Sequence, residues 1–91
     1  MKSNKINLNA ISKVALEINF GKKQSYSLSQ LNDIDDLCST NIKYNIEEHI
    51  DNLYDKNIIK DMLINILSIC YIQNIDLNDI FKMEVKHYEE V

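Results

Sequence analysis

The chain has 91 residues, with one Gly, no Pro and no Trp, and ten basic side chains against 14 acids for a formal charge of −4. A chain of this length makes one domain near the lower limit for burying an adequate core, and 45% hydrophobic content excludes disorder by composition. The scarcity of turn residues argues against an all-β fold. The acidic balance, with every cation a Lys, argues against a nucleic-acid partner.

The 15 Ile, 12 Asn and ten Lys follow the bias of an AT-rich genome, so Asn and Lys enrichment carries no functional weight. Cys38 and Cys70 belong to no CxxC pair and read as two buried, reduced thiols. The basic start, Met1 to Lys5, leads into an alternating polar segment rather than an apolar signal core. The apolar-rich stretch Ile58 to Ile75 is broken by Lys60, Asp61, Asn65, Ser68, Gln73 and Asn74, too often for a membrane span. The expectation is a cytoplasmic protein with no membrane and no nucleic-acid partner.

From about Ile6 to Phe20, apolar Leu8, Ile11, Val14, Ala15 and Ile18 recur at helical spacing. Gly21 follows at a position that suits a C-terminal cap with positive φ. Ser27 and Gln30 form a capping box for a second helix with Leu28, Leu31, Ile34, Leu37 and Cys38 on one side and Ser29, Asn32, Asp33 and Asp36 on the other. This helix is expected to end near Thr40. Asn45 and Glu48 read as a second capping box, opening a short third element with Ile46, Ile50, Leu53 and Tyr54 as its inner stripe.

The next helix, about Asn57 to Gln73, has 11 apolar residues among 17 and reads as buried by neighbours on several sides. Its polar exceptions, Asn57, Asp61, Asn65 and Ser68, lie on one narrow stripe. Asp76 caps the last helix, where Leu77, Ile80, Phe81, Val85 and Tyr88 are expected to point inward and Lys82 and Lys86 share another face. The predicted fold is all-α: a compact bundle of four main helices plus one short one. So apolar a helix in so small a bundle calls for cover from a second chain, and a homodimer is expected.

No Ser, Cys or His pattern supports nucleophilic catalysis, no Cys/His cluster supports zinc, and one glycine builds no phosphate loop. Carboxylates remain. If the second and fourth helices pack with their polar faces meeting, Asp33, Asp36 and Asp61 make an oxygen-rich pocket of the kind Mg²⁺ favours. Asn32 and Asn65 lie beside these aspartates, and Lys82 and Lys86 stand ready for phosphate oxygens, so these four are the substrate-binding candidates.

The stretch Ile58-Ile59-Lys60-Asp61-Met62-Leu63, followed by Asn74-Ile75-Asp76-Leu77 and Lys82, resembles the C-terminal half of the MazG-like all-α nucleoside triphosphate pyrophosphohydrolases. Leu31 to Leu37 occupies the place of that family's upstream acidic helix. Asn32, Asp33 and Asp36 stand where the family has three glutamates, and Ile58 stands where its E-x-x-D glutamate falls. The resemblance implies Mg²⁺-dependent hydrolysis of a (d)NTP to a (d)NMP and pyrophosphate, with metal on Asp33, Asp36 and Asp61 and phosphate on Lys82. The other reading is a non-catalytic acidic helical protein, an inhibitor or regulatory module that acts through a protein partner.

Overall fold

The computed structural model describes residues 7–22 and 25–82, whose regular structure is all helical, with no strand among them. Helix α1 spans Leu8–Phe20. Asn7 caps it by accepting hydrogen bonds from the amides of Asn9 and Ala10. Gly21 ends it at φ +92°, with its N–H on the Glu17 carbonyl at 2.8 Å. A Cβ at Gly21 would meet nothing within 4 Å. Conformation, not space, therefore requires glycine there.

Helix α2 spans Leu28–Glu48 and begins with the expected reciprocal box, in which Ser27 Oγ accepts from Gln30 N–H and Gln30 Oε1 accepts from Ser27 N–H. It does not end near Thr40. No Gly or Pro interrupts residues 40–48, and the helix runs a further two turns. Asn45, expected to cap a separate element, is instead buried inside α2. The short third element is reduced to one 3₁₀ turn, Ile50–Asn52, with Ile50 and Tyr54 facing solvent.

Helix α3 spans Lys56–Ile72, capped by Asp55, whose side chain accepts from Asn57 N–H at 2.8 Å. It closes with Ile75 N–H on the Cys70 carbonyl and Asn74 N–H on the Tyr71 carbonyl, Asn74 sitting at φ 55°. That bonding pattern satisfies the last carbonyls and turns the chain sharply. Asp76 then caps residues 77–82, accepting from the amides of Asn78 and Asp79.

Both α1 and α2 pack on α3. Across α2 and α3, Asn45 meets Asp61, Asn41 meets Asn65 and Asp35 meets Gln73. Rising numbers on one helix pair with falling numbers on the other, so the two run antiparallel. Asn19 with Asn65 and Asn9 with Asp76 give α1 the same sense. The apolar core is small: Leu16, Ile34 and Cys38, flanked by Phe20, Tyr26, Ile69 and Ile72.

Helix α3 departs from expectation in orientation. Only one side of it is covered, because α1 and α2 are its helical neighbours among the described residues. The covered side is the polar one: Asn65 and Ser68 are fully buried. Ile59, Leu63 and Ile66, at spacings of four and three, lie on the opposite side and are exposed. Elsewhere Ile11, Val14, Ile18, Leu28, Leu37 and Ile46 also face solvent rather than the core. In the last helix Leu77 is buried but Ile80 and Phe81 are exposed, while Val85 and Tyr88 lie outside the described residues.

Candidate functional site

A cluster of amides joins the three helices. Asn65 of α3 is at its centre, with no exposed surface. Its Oδ1 accepts from Asn19 Nδ2 of α1 at 3.1 Å and from Asn41 Nδ2 of α2 at 3.3 Å. Its Nδ2 donates to the Asp61 carbonyl one turn earlier, at 2.7 Å. One turn further along the α2–α3 contact, buried Asn45 donates Nδ2 to Asp61 Oδ2 at 2.6 Å. These bonds offset the cost of placing amides between packed helices.

The next level holds Cys38 and Ser68, both fully buried. The Ser68 hydroxyl donates to the Ile64 carbonyl at 2.7 Å. Burial pushes the Cys38 thiol up to about 11, opposed by the neighbouring Ser68 hydroxyl and reinforced by the carboxylates of Asp35 and Asp61. Cys38 is therefore a neutral thiol at neutral pH, not a nucleophile. Burial likewise raises Cys70. At the end of this seam, Asp35 Oδ2 accepts from Gln73 Nε2 at 2.9 Å, while Asp35 Oδ1 is buried with no hydrogen-bond partner.

The expected metal site is not assembled. Asp33 and Asp36 lie on the exposed side of α2, whereas Ile34, Cys38 and Asn45 are its buried positions. Asp61 is level with Asn45. Asn45 lies nine residues beyond Asp36, which is about 13 Å along the helix at 1.5 Å per residue. Among the described residues no group of three His, Cys, Asp or Glu could hold a metal ion. The aspartates do not fit Mg²⁺ as a set, because antiparallel packing puts them at different levels and on different sides.

The expected substrate contacts are also separate. Asn32 and Lys82 are exposed, Asn65 is sealed within the amide cluster, and Lys86 lies outside the described residues. Reading the sequence missed Asn19, Asn41 and Asn45 as members of a common cluster. Only Asn19 falls inside a helix expected from the sequence; Asn41 lies past the expected end near Thr40 and Asn45 at an expected cap, so no shared signal marked the three. It also passed over Asn9, which donates to Asp76 Oδ1 at 3.0 Å and accepts from Leu77 N–H at 3.1 Å, tying α1 to the last turn.

The outer side of α3 gives a second feature. Leu63, 51% exposed, is flanked by Ile59 and Ile66, and Lys56 and Lys60 are exposed on the same helix. No described helix is long and apolar enough to cross a membrane. No family model, curated protein or solved structure matches the chain.

Proposed function

We propose that the chain is a non-catalytic helical interaction module that works by protein–protein contact, and that its first partner is a second copy of itself. The observation that carries this reading is the orientation of α3, polar side inward and Ile59, Leu63 and Ile66 outward. Full burial of one large apolar side chain is worth roughly 1.5–3 kcal/mol. Ile59, Leu63 and Ile66 are 38%, 51% and 44% exposed, so covering what remains is worth about 1 kcal/mol each.

The stripe is also nearly symmetric about Leu63, with Ile59 four residues before and Ile66 three after. Two α3 helices packed antiparallel about a two-fold axis set Leu63 against Leu63 and Ile59 against Ile66, which is a self-complementary arrangement. The pyrophosphohydrolase reading, by contrast, needs Asp33, Asp36 and Asp61 on one ion, and the helices hold them apart.

The test has two arms. Incubation with a panel of NTPs and dNTPs plus Mg²⁺ should release no pyrophosphate. Turnover that Asp61→Ala abolishes would reinstate the enzyme. Light scattering should give a dimer, and Leu63→Glu, at an already exposed position, should give a folded monomer.

A further inference from the structure

Helix α1 carries an exposed apolar stripe of its own. Ile11, Val14 and Ile18, at spacings of three and four, are 38%, 51% and 66% exposed. With a period of 3.6 residues they fall on the side of α1 opposite Leu16 and Phe20, which pack with Ile34 and Cys38 of α2. The α1 stripe therefore points away from α2. So does the α3 stripe, because Asp61 and Ser68, on the other side of α3, meet Asn45 and Cys38 of α2. The two stripes share one face of the antiparallel α1–α3 pair. Asn19 is bonded to Asn65 and Asn9 to Asp76, so Ile18 stands level with Ile66. At that level the apolar surface runs across both helices, with Ile18 and Ile66 left to solvent.

We infer that a second copy of the chain covers both helices at once, so that α1, through Ile18, is part of the dimer interface. This rests on the self-association proposed above and extends it to a second helix. Size favours the wider contact. A stable interface takes about 20–30 residues a side, and one stripe of three half-exposed side chains falls short. The α1 stripe is continuous with it and doubles the number of apolar anchors. Symmetry favours it too. A two-fold axis that passes Leu63 and sets one α3 antiparallel on the other runs across the α1–α3 layer, and it brings α1 over α1. Ile18, level with Ile66, is three residues from that axis, about 4.5 Å along the helix. Ile11 is about 10 Å further out. The contribution of the α1 stripe therefore falls from Ile18 to Ile11.

Sedimentation velocity over a dilution series, on the full chain and on single variants, tests it. Ile18→Glu, at an already exposed position, should weaken the dimer at least about tenfold. Ile11→Glu should weaken it less, and circular dichroism should be unchanged for both. Leu28→Glu, on the exposed start of α2, should leave the dimer as it is. In a mixed dimer of labelled and unlabelled copies, isotope-filtered NOEs should join the Ile18 methyls to the other copy. A wild-type dimer that Leu63→Glu dissociates and Ile18→Glu leaves intact would overturn the role of α1 alone, and the α3 contact would stand. A wild-type monomer would overturn both. Equal weakening by Leu28→Glu and Ile18→Glu would also overturn it, because added charge rather than the α1–α3 face would then govern association.

Discussion

Asn45 donates its side-chain amide to the Asp61 carboxylate across the α2–α3 contact, at 2.6 Å. Each residue has an obvious local reading, one as a helix cap and the other as a metal ligand. Packing gives them to each other instead. A hydrogen bond to a charged group is worth about 1.5–3 kcal/mol when shielded, and the exposure of Asp61 places this one at or below the lower end. Urea unfolding of Asn45→Ala, Asp61→Ala and the double variant should give a coupling energy of about 1 kcal/mol. Additive single effects would show that the two side chains do not stabilise the contact together.

Asn65 should matter more than any of the surface aspartates. Replacing it with Ala removes the acceptor shared by Asn19 and Asn41. Stranding part-buried donors costs about 1–3 kcal/mol, and the void left behind adds to that. Asp33→Ala and Asp36→Ala, on the exposed side of α2, should stay within about 0.5 kcal/mol of wild type. Equal effects at Asn65 and Asp33 in the same denaturation series would contradict the cluster's structural role.

The parts legible from sequence were those set by local chemistry. Ser27 with Gln30, and Gly21 after Phe20, announce helix boundaries through bonds that close within four residues. Asn45 looked like the same signal because Glu48 follows at capping distance. Nothing local says whether its amide will meet a backbone N–H or Asp61 sixteen positions away. The polar stripe of α3 was equally visible as a period, but a period does not state which side faces in. That is decided by Asn19, Asn41 and Asn45 on other helices, which supply matching amides. Discounting asparagine as compositional bias concealed the match, and the same step left Asp33, Asp36 and Asp61 as the apparent polar partners.

Asp76 links acid stability to the junction of α1 with the last helix. The Asn9 amide beside it, with the amides of Asn78 and Asp79, lowers its pKa below the ordinary carboxylate value of 3.8. A group lowered in the folded state stabilises above its unfolded pKa and loses that contribution as pH falls through the folded value. The junction should therefore loosen below about pH 4. Amide exchange at Leu77, whose N–H is held by Asn9, is the readout. Asp76→Asn keeps a capping side chain without a titrating group and should remove this component of the acid response. An unchanged profile would count against it.

Cys38 gives the opposite sign. Its thiol is raised from 9.0 to about 11, so the stabilisation is complete below the unfolded pKa and is lost as pH rises from about 9 through 11. At neutral pH, Cys38 and Cys70 should both resist alkylation in the native protein and both react in denaturant, as buried neutral thiols do. Rapid native labelling of Cys38 would place it outside the core.

Mass by light scattering at micromolar concentration tests self-association through α3 most directly. The wild-type chain should have twice the mass of one chain, and Leu63→Glu the mass of one, with helicity unchanged. A wild-type chain that is monomeric at that concentration would contradict the assignment of the Ile59, Leu63 and Ile66 stripe as its interface.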